Sequence, residues 1–358
     1  MGGACSTEKD IPMRAVAKLA KAEASIGVID APEPVAGSGE ALIRVAAAGI
    51  CGTDMAIYDW APRMQSRVAP PRILGHEATG VVEALGAGVT HIKVGDRVSL
   101  ESHIFCGECR FCRRGDAHLC QFLGYPGISI DGGFADRVAV PAQIARPVPA
   151  GMDDHLAAMI EPFGIAVHSC MAQRGVSGRA VLVNGCGPIG LMTVAAARAL
   201  GARRVLAADP NLKRLKLAEH MGADLIIDPS KIDVAKAARD ATGGFGVEVS
   251  IEYSGTASGL DAVLAATERM GDIRLVAGPK DPHPLDVNAI LRTGISIYGV
   301  HGRRLWQDWD MSVELLSEGR VDISMLADPV LPLDRAVEGF EAIKAGAALK
   351  PILVPEQA

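Results

Sequence analysis

The pattern of apolar and polar positions changes character near residue 175 of this 358-residue chain. Beyond that point, short apolar runs alternate with helical stretches closed by glycine, the signature of repeated strand–helix units. The runs predict strands at 179–183, 205–208, 226–227, 247–251, 273–277 and 295–299, with helices at 188–200 and 211–221 that end at Gly201 and Gly222. Such alternation gives a parallel sheet with helices on both faces. Before about residue 165 the runs at 41–45, 79–85 and 97–100 are punctuated by glycine and show few helical periods, so this half is predicted to be mostly β. Helices at 312–317 and 336–345 and a last apolar run at 351–355 form a tail expected to fold back on the first domain. The predicted class is α/β, divided at 1–165, 166–305 and 306–358.

The most apolar stretch, 180–200, is long enough for a membrane span, but Asn184, Arg198 and three glycines interrupt it. It is better read as a buried strand and helix. With 49% hydrophobic and 22% charged residues the chain is globular, and a net charge of −6 offers no footprint for nucleic acid. Small molecules are the expected partners. The first residues lack the order of a secretory signal, which points to the cytoplasm. Met1-Gly2-Gly3-Ala4-Cys5-Ser6 matches an acylation pattern, but chance produces it often, one chain anchors weakly, and no membrane partner is expected.

Gly185-Cys186-Gly187-Pro188-Ile189-Gly190 follows a predicted strand and opens a predicted helix, the context a G-x-G-x-x-G turn requires. Gly185 permits the tight turn, Gly187 lets the backbone approach a pyrophosphate, and Gly190 lets helix and strand close together. Asp209 lies at the end of the next strand, 19 residues after Gly190, where an acid accepts hydrogen bonds from ribose hydroxyls. That placement favours NAD over NADP. Arg214, in the following helix, is in reach of an adenine face, or of a phosphate if Asp209 turns away. The plain alternative is a glycine-rich turn with no ligand.

Eight cysteines are present, and four of them fall within fifteen positions. Cys106, Cys109 and Cys112, with Cys120 after seven more residues, supply thiolates spaced for one tetrahedral zinc with no open position, hence a structural site. An iron–sulfur cluster uses similar runs and stays open at this point. A second set, Cys51 with Thr53, His76-Glu77 and Glu161, combines thiolate, imidazole and carboxylate in a borderline-soft site suited to zinc with a position left for an alcohol oxygen. Cys170 and Cys186 are read as small buried hydrophobes, His103 as a loop histidine or a group behind the ligands, and Trp306 and Trp309 as packing.

Gly75-His76-Glu77, the four-cysteine loop, Gly95-Asp96-Arg97-Val98 and the Gly185–Gly190 turn, in that order, resemble the zinc-containing medium-chain alcohol dehydrogenases over nearly the whole chain. Ile50–Asp54, Ile57–Trp60, Glu161–Gly164, Ala166–His168 and Gly302-Arg303 with Trp306 and Trp309 most resemble the threonine dehydrogenase branch, with sorbitol-type polyol dehydrogenases second. The resemblance implies a GroES-like catalytic domain beside a Rossmann domain in a homotetramer. It implies Cys51, His76 and Glu77 as catalytic zinc ligands, Glu161 as an alternate or assisting ligand, and Cys106, Cys109, Cys112 and Cys120 as structural ligands. Ile189, Asp209, Arg214, Val276, Ala277, Gly278, Val300 and His301 are implied to line NAD; as a plain reading, His301 is only a polar residue flanking a helix. The implied reaction is oxidation of a secondary hydroxyl, L-threonine to 2-amino-3-ketobutyrate or a polyol to a ketose, with Thr53 taking the alcohol proton. A non-catalytic NAD-binding or quinone-reductase-like relative is the remaining reading. One position departs from the pattern. The histidine that should follow Thr53 by three residues is Ala56, so water or another group replaces it, or the pocket is enlarged for a different substrate.

Overall fold

The computed structural model describes residues 12–356, and the acylation pattern at 1–6 lies outside them. The chain divides into two compact units. The first holds residues up to Cys106, Phe122–Glu161 and the chain from Ala327 on; the second holds Gly107–Gln121 and Pro162–Leu326. The tail is thus split at 326/327, twenty-one residues beyond the boundary placed from sequence at 305/306.

The first unit contains strands β1 (Met13–Lys18), β2 (Ile26–Ala31), β3 (Glu40–Gly49), β4 (Arg72–Ile73), β5 (Glu77–Leu85), β6 (Arg97–Leu100), β7 (Arg137–Pro141) and β8 (Ala145–Pro147). The second contains β9 (Ala180–Asn184), β10 (Arg204–Ala208), β11 (Leu225–Ile227), β12 (Val247–Glu252), β13 (Thr267–Leu275) and β14 (Ser296–Gly299); β15 (Val330–Pro332) and β16 (Ile352–Val354) return to the first. β2, β1 and β4 form a small antiparallel sheet. A larger one runs β15-β16-β3-β5-β6-β8, with β7 also on β3, and encloses a core of Ile43, Val45, Ile57, Leu74, Val98, Phe134, Val138 and Phe340.

In the second unit six parallel strands are ordered β11-β10-β9-β12-β13-β14. β9 is buried at all five positions, as a central parallel strand covered on both faces must be. Helices Pro188–Ala199, Leu212–His220, Val234–Ala241 and Ala257–Ala266 link successive strands, and the core gathers Leu182, Leu206, Ile227, Val263 and Ile273. The order of strands, with β9 and β12 as neighbours, is that of a doubly wound fold. No helix among the described residues is long and apolar enough to cross a membrane.

Candidate active site

Three strands of the first unit bring distant residues together. β16 pairs with β3 through Ile352 and Gly49, and β3 pairs with β5 through Gly49 and Glu77. Just past the end of β3, Cys51 caps the helix Gly52–Tyr58 in a reciprocal box: Asp54 accepts from the Cys51 amide at 2.9 Å, and the Cys51 sulfur accepts from the Thr53 amide at 3.5 Å. On the other side Gly75 takes φ +95°, and a Cβ there would lie 2.4 Å from the Phe134 ring, so the turn that presents His76 and Glu77 requires glycine.

The donor atoms of Cys51, His76 and Glu77 all lie within 4.8 Å of one another. His76 and Glu77 are buried, and neither His76 Nδ1 nor Glu77 Oε1 has a hydrogen-bond partner. Buried polar atoms without partners are costly, and a thiol, an imidazole and a carboxylate converging where two of them are orphaned fit a zinc ion. Asp54 Oδ1, also without a hydrogen bond, stands 3.7 Å from His76 Nδ1. Burial alone would push the His76 pKa down, but the charges of Asp54 and Cys51 outweigh it and hold the pKa well above its ordinary value. The field is that of a cation site.

Lys350, two residues before β16, is buried and its ammonium bonds Glu77 Oε2 and the Ile50 carbonyl, the latter at 3.3 Å. Gly49 makes room for this pair, since a Cβ would lie 2.6 Å from Glu77 Oε2 and 3.1 Å from Lys350 Cε. Burial pushes the Glu77 carboxyl pKa up; Lys350 opposes this and Glu161 adds to it, for a net rise. Glu161 is therefore close enough to be felt, yet it stands outside the three-residue group. Thr53 is half-buried on the first helical turn, and Ala56, one turn on, belongs to the apolar core. His103 is buried and bonded through Nδ1 to Glu101 at 2.5 Å. Asp54 and Lys350 are parts of the site that sequence reasoning did not assign.

In the loop of Cys106, Cys109, Cys112 and Cys120 the four sulfurs lie within 4.8 Å of one another, Cys109 being 3.5 Å from Cys112 and 3.9 Å from Cys120. Backbone amides of Cys112 and Gln121 hold the Cys109 thiol down to about 6, favouring the thiolate that binds metal. The set fits a closed tetrahedral zinc.

A cavity of about 770 Å³ in the second unit is lined by Gly185, Gly187, Asp209 and Arg214, together with Asn184 and Ser254. Gly185 has φ +98°, and a Cβ on Gly190 would sit 1.9 Å from the Gly185 carbonyl, whereas nothing lies within 4 Å of a Cβ on Gly187. The first and third glycines serve the turn, and the second leaves space for a ligand before the helix that Pro188 begins. Asp209 is buried and accepts the amides of Cys186 and Asn211, both at 2.8 Å, with Arg214 3.8 Å away. Arg214 thus lies against Asp209. Ile189, Val276–Gly278, Val300 and His301 are not part of this lining; it is completed by the segments after β11 and β12, which sequence reasoning did not assign. Trp306 precedes the helix Gln307–Ser317, and Trp309 is buried on it, their rings 6.4 Å apart.

Residues 37–150 match the alcohol dehydrogenase GroES-like domain and residues 188–318 the zinc-binding dehydrogenase domain. The chain belongs to the zinc-binding alcohol dehydrogenases. It is 40% identical to an L-threonine 3-dehydrogenase of Pyrococcus horikoshii over 91% of this chain and 93% of that one. A Bacillus subtilis L-threonine 3-dehydrogenase is 37% identical over 94% and 98%. Among solved structures, an alcohol dehydrogenase of Escherichia coli CFT073 complexed with NADH matches with a TM-score of 0.88 and 27% identity, covering 96% of this chain and 99% of that one. The resemblance drawn from the motifs and the two-domain class are borne out: this is a zinc-dependent dehydrogenase of medium-chain fold.

Proposed function

We propose that the enzyme oxidises L-threonine to 2-amino-3-ketobutyrate with NAD. The observation that carries the reading is the convergence of Cys51, His76 and Glu77 in a chain 40% identical to an L-threonine 3-dehydrogenase. Zinc held by these three residues supplies a Lewis acid that makes a hydroxyl easier to deprotonate, and NAD held by the Gly185–Gly190 turn, Asp209 and Arg214 supplies the hydride acceptor. Glu161 is the assisting carboxylate. Asp54 orients the His76 ring, and Lys350 balances charge on Glu77. The Thr53 hydroxyl accepts the alcohol proton and, because Ala56 cannot relay it, passes it to water. Val276–Gly278, Val300 and His301 complete the cofactor contacts in this reading, and the second zinc, on Cys106, Cys109, Cys112 and Cys120, is structural.

Ala56 also supports a second reading, in which the space left by a histidine accepts a polyol. NADH formation by zinc-loaded protein separates the two, with L-threonine compared against sorbitol, xylitol, threitol and simple secondary alcohols. Threonine turnover well above the rest is expected; preference for a polyol moves the enzyme to the sorbitol-type branch. Turnover undiminished in Cys51→Ser would refute the zinc reading.

The assembly we propose is a homotetramer in the cytoplasm. Among the described residues β14 is a sheet edge paired only with β13, and the helix Val287–Thr293 that precedes it in the chain buries none of its residues, with Leu291 74% and Val287 61% exposed. A bare edge with an apolar neighbour invites a second copy. Four clustered thiols that hold metal suit a reducing compartment. Light scattering on the eluting protein checks the assembly.

A further inference from the structure

In an open parallel sheet the ligand crevice forms where the strand order turns back, here between β9 and β12. The two strands end side by side at Asn184 and Glu252, which are direct partners in the ladder. Glu252 is 1% exposed. Its carboxylate accepts from Asn184 Nδ2 and Ser254 Oγ, each at 2.5 Å, and from the Gly255 amide at 3.0 Å. Its backbone carbonyl accepts from the amides of Val276 and Ala277, both at 3.1 Å. One residue therefore fastens three strand ends: the residue before the glycine turn, the loop into the helix Ala257–Ala266, and the segment after β13.

Asn184 and Ser254 line the cofactor cavity, but Glu252 does not. The two loops it joins are in close contact, since a Cβ on Gly185 would lie 2.7 Å from the Ser254 amide, and one on Gly259 would lie 2.0 Å from Ser254 Oγ. All three partners of the carboxylate are donors. As they stand, an acceptor on both oxygens satisfies them; a glutamine would set its amide hydrogens against the Gly255 amide or force the Asn184 amide to turn over and give up its contact with the Gly259 carbonyl. A buried acid behind a cavity that receives phosphates is unfavourable for the ligand itself, so its purpose lies in the loops it holds.

We propose that Glu252 is a positioning residue for the dinucleotide, locking the glycine turn and the Ser254–Gly255 loop in the form that receives it. The proposal rests on the cavity being the cofactor site. The test is titration of zinc-loaded protein with NADH, followed by cofactor fluorescence, for wild type, Gly187→Val, Glu252→Gln and Ser254→Ala, with zinc content and Tm measured on each. Glu252→Gln is expected to raise the NADH Kd about tenfold, equivalent to about 1.4 kcal/mol, and to raise the NAD Kd, measured by competition, by the same factor. Ser254→Ala, which keeps the carboxylate and removes one donor, is expected to raise it about threefold and serves alone if Glu252→Gln does not fold. Wild-type affinity in Gly187→Val overturns the cavity assignment and the proposal with it. Loss in Gly187→Val with wild-type affinity in Glu252→Gln, even at a lowered Tm, makes Glu252 merely structural and overturns the proposal alone. Where only Ser254→Ala folds, wild-type affinity in that variant does the same.

Discussion

Replacing Lys350 by methionine keeps the length of the stem and removes the ammonium, which isolates the charge on Glu77. Both residues are nearly inaccessible, at 3% and 0% exposure, and Glu77 also faces the charge of Glu161. Breaking a buried pair by deleting one partner costs about 3–5 kcal/mol, because the survivor is left buried and uncompensated. That cost should be felt in protein stripped of metal. With zinc at Cys51, His76 and Glu77 the carboxylate regains a cation, and the cost should fall to about 1 kcal/mol, the range of an imperfect packing change. At roughly 2–4 °C per kcal/mol for a unit of this size, the variant should melt about 6–20 °C below wild type after chelation and only a few degrees below it when zinc-loaded. Loss of the ion at Cys106–Cys120 affects both proteins alike and cancels in the double difference. The sign with pH is fixed by Lys350, whose pKa is raised: burial lowers it, but Glu77 and Cys51 outweigh burial. A cation with a raised folded pKa stabilises fully below its ordinary value of 10.5, and the contribution is lost as pH rises through the folded value. The gap between chelated variant and wild type should therefore persist at neutral pH and close only in strong alkali. Equal deficits with and without zinc, in calorimetric scans, would show that Lys350 packs rather than balances charge.

The glycine turn separates two kinds of glycine: Gly187→Val, which meets open space, should raise the KM for NAD tenfold or more with little change in Tm, whereas Gly190→Ala, 1.9 Å from a carbonyl, should destabilise by about 1–3 kcal/mol. Steady-state kinetics beside thermal melts check both. After chelation, iodoacetamide at pH 7 should label Cys109 first among the loop cysteines, its thiol being held down to about 6, while Cys170, buried and pushed up to about 12, stays unlabelled until unfolding. Peptide mass spectrometry reads the order, and early labelling of Cys170 would contradict it. Ala56→His should raise turnover of L-threonine up to about tenfold near neutral pH at a cost of a few degrees in Tm, because the position belongs to a packed core. Unchanged turnover with a folded variant would mean that water already carries the proton as well.

How much of this was legible follows from where the signals lie along the chain. β9 is apolar at four positions in succession and ends in a glycine turn, so strand, turn and helix could be read within a dozen residues. β1 gave no such signal. Its sequence, Met-Arg-Ala-Val-Ala-Lys, carries Lys18 on the buried side, where the ammonium bonds the carbonyls of Ala22 and Tyr58, and a lysine inside breaks the two-residue period that marks a strand. The helix from Gly52 was likewise missed, since it is only seven residues long and capped by a cysteine. Cys51, His76 and Glu77 could be named because residue type and local context single them out; Lys350 could not, being 273 positions from Glu77 and brought there by the pairing of β16 with β3. The cavity tells the same story. Its glycine turn and Asp209 are local patterns, but Ser254 and the segment after β11 reach the lining through strand order, which no short motif encodes.

The charges around the ligand set also bear on the choice of substrate. Cys51 as thiolate and Asp54, Glu77 and Glu161 as carboxylates bring four formal negative charges to this part of the first unit, against which Lys350 and a zinc ion supply three positive ones. One negative charge is left over in surroundings where screening by water is weak. A polyol is neutral and gains nothing from it. An amino acid is a zwitterion with no net charge either, but the field orients it: its ammonium is drawn toward the carboxylates and its own carboxylate is turned away, which presents the hydroxyl on the neighbouring carbon in one sense. Ala56 weakens the outward path of the proton but removes no charge, so the field still gives a zwitterionic threonine a preferred orientation that a polyol lacks, even though one member of the relay is gone.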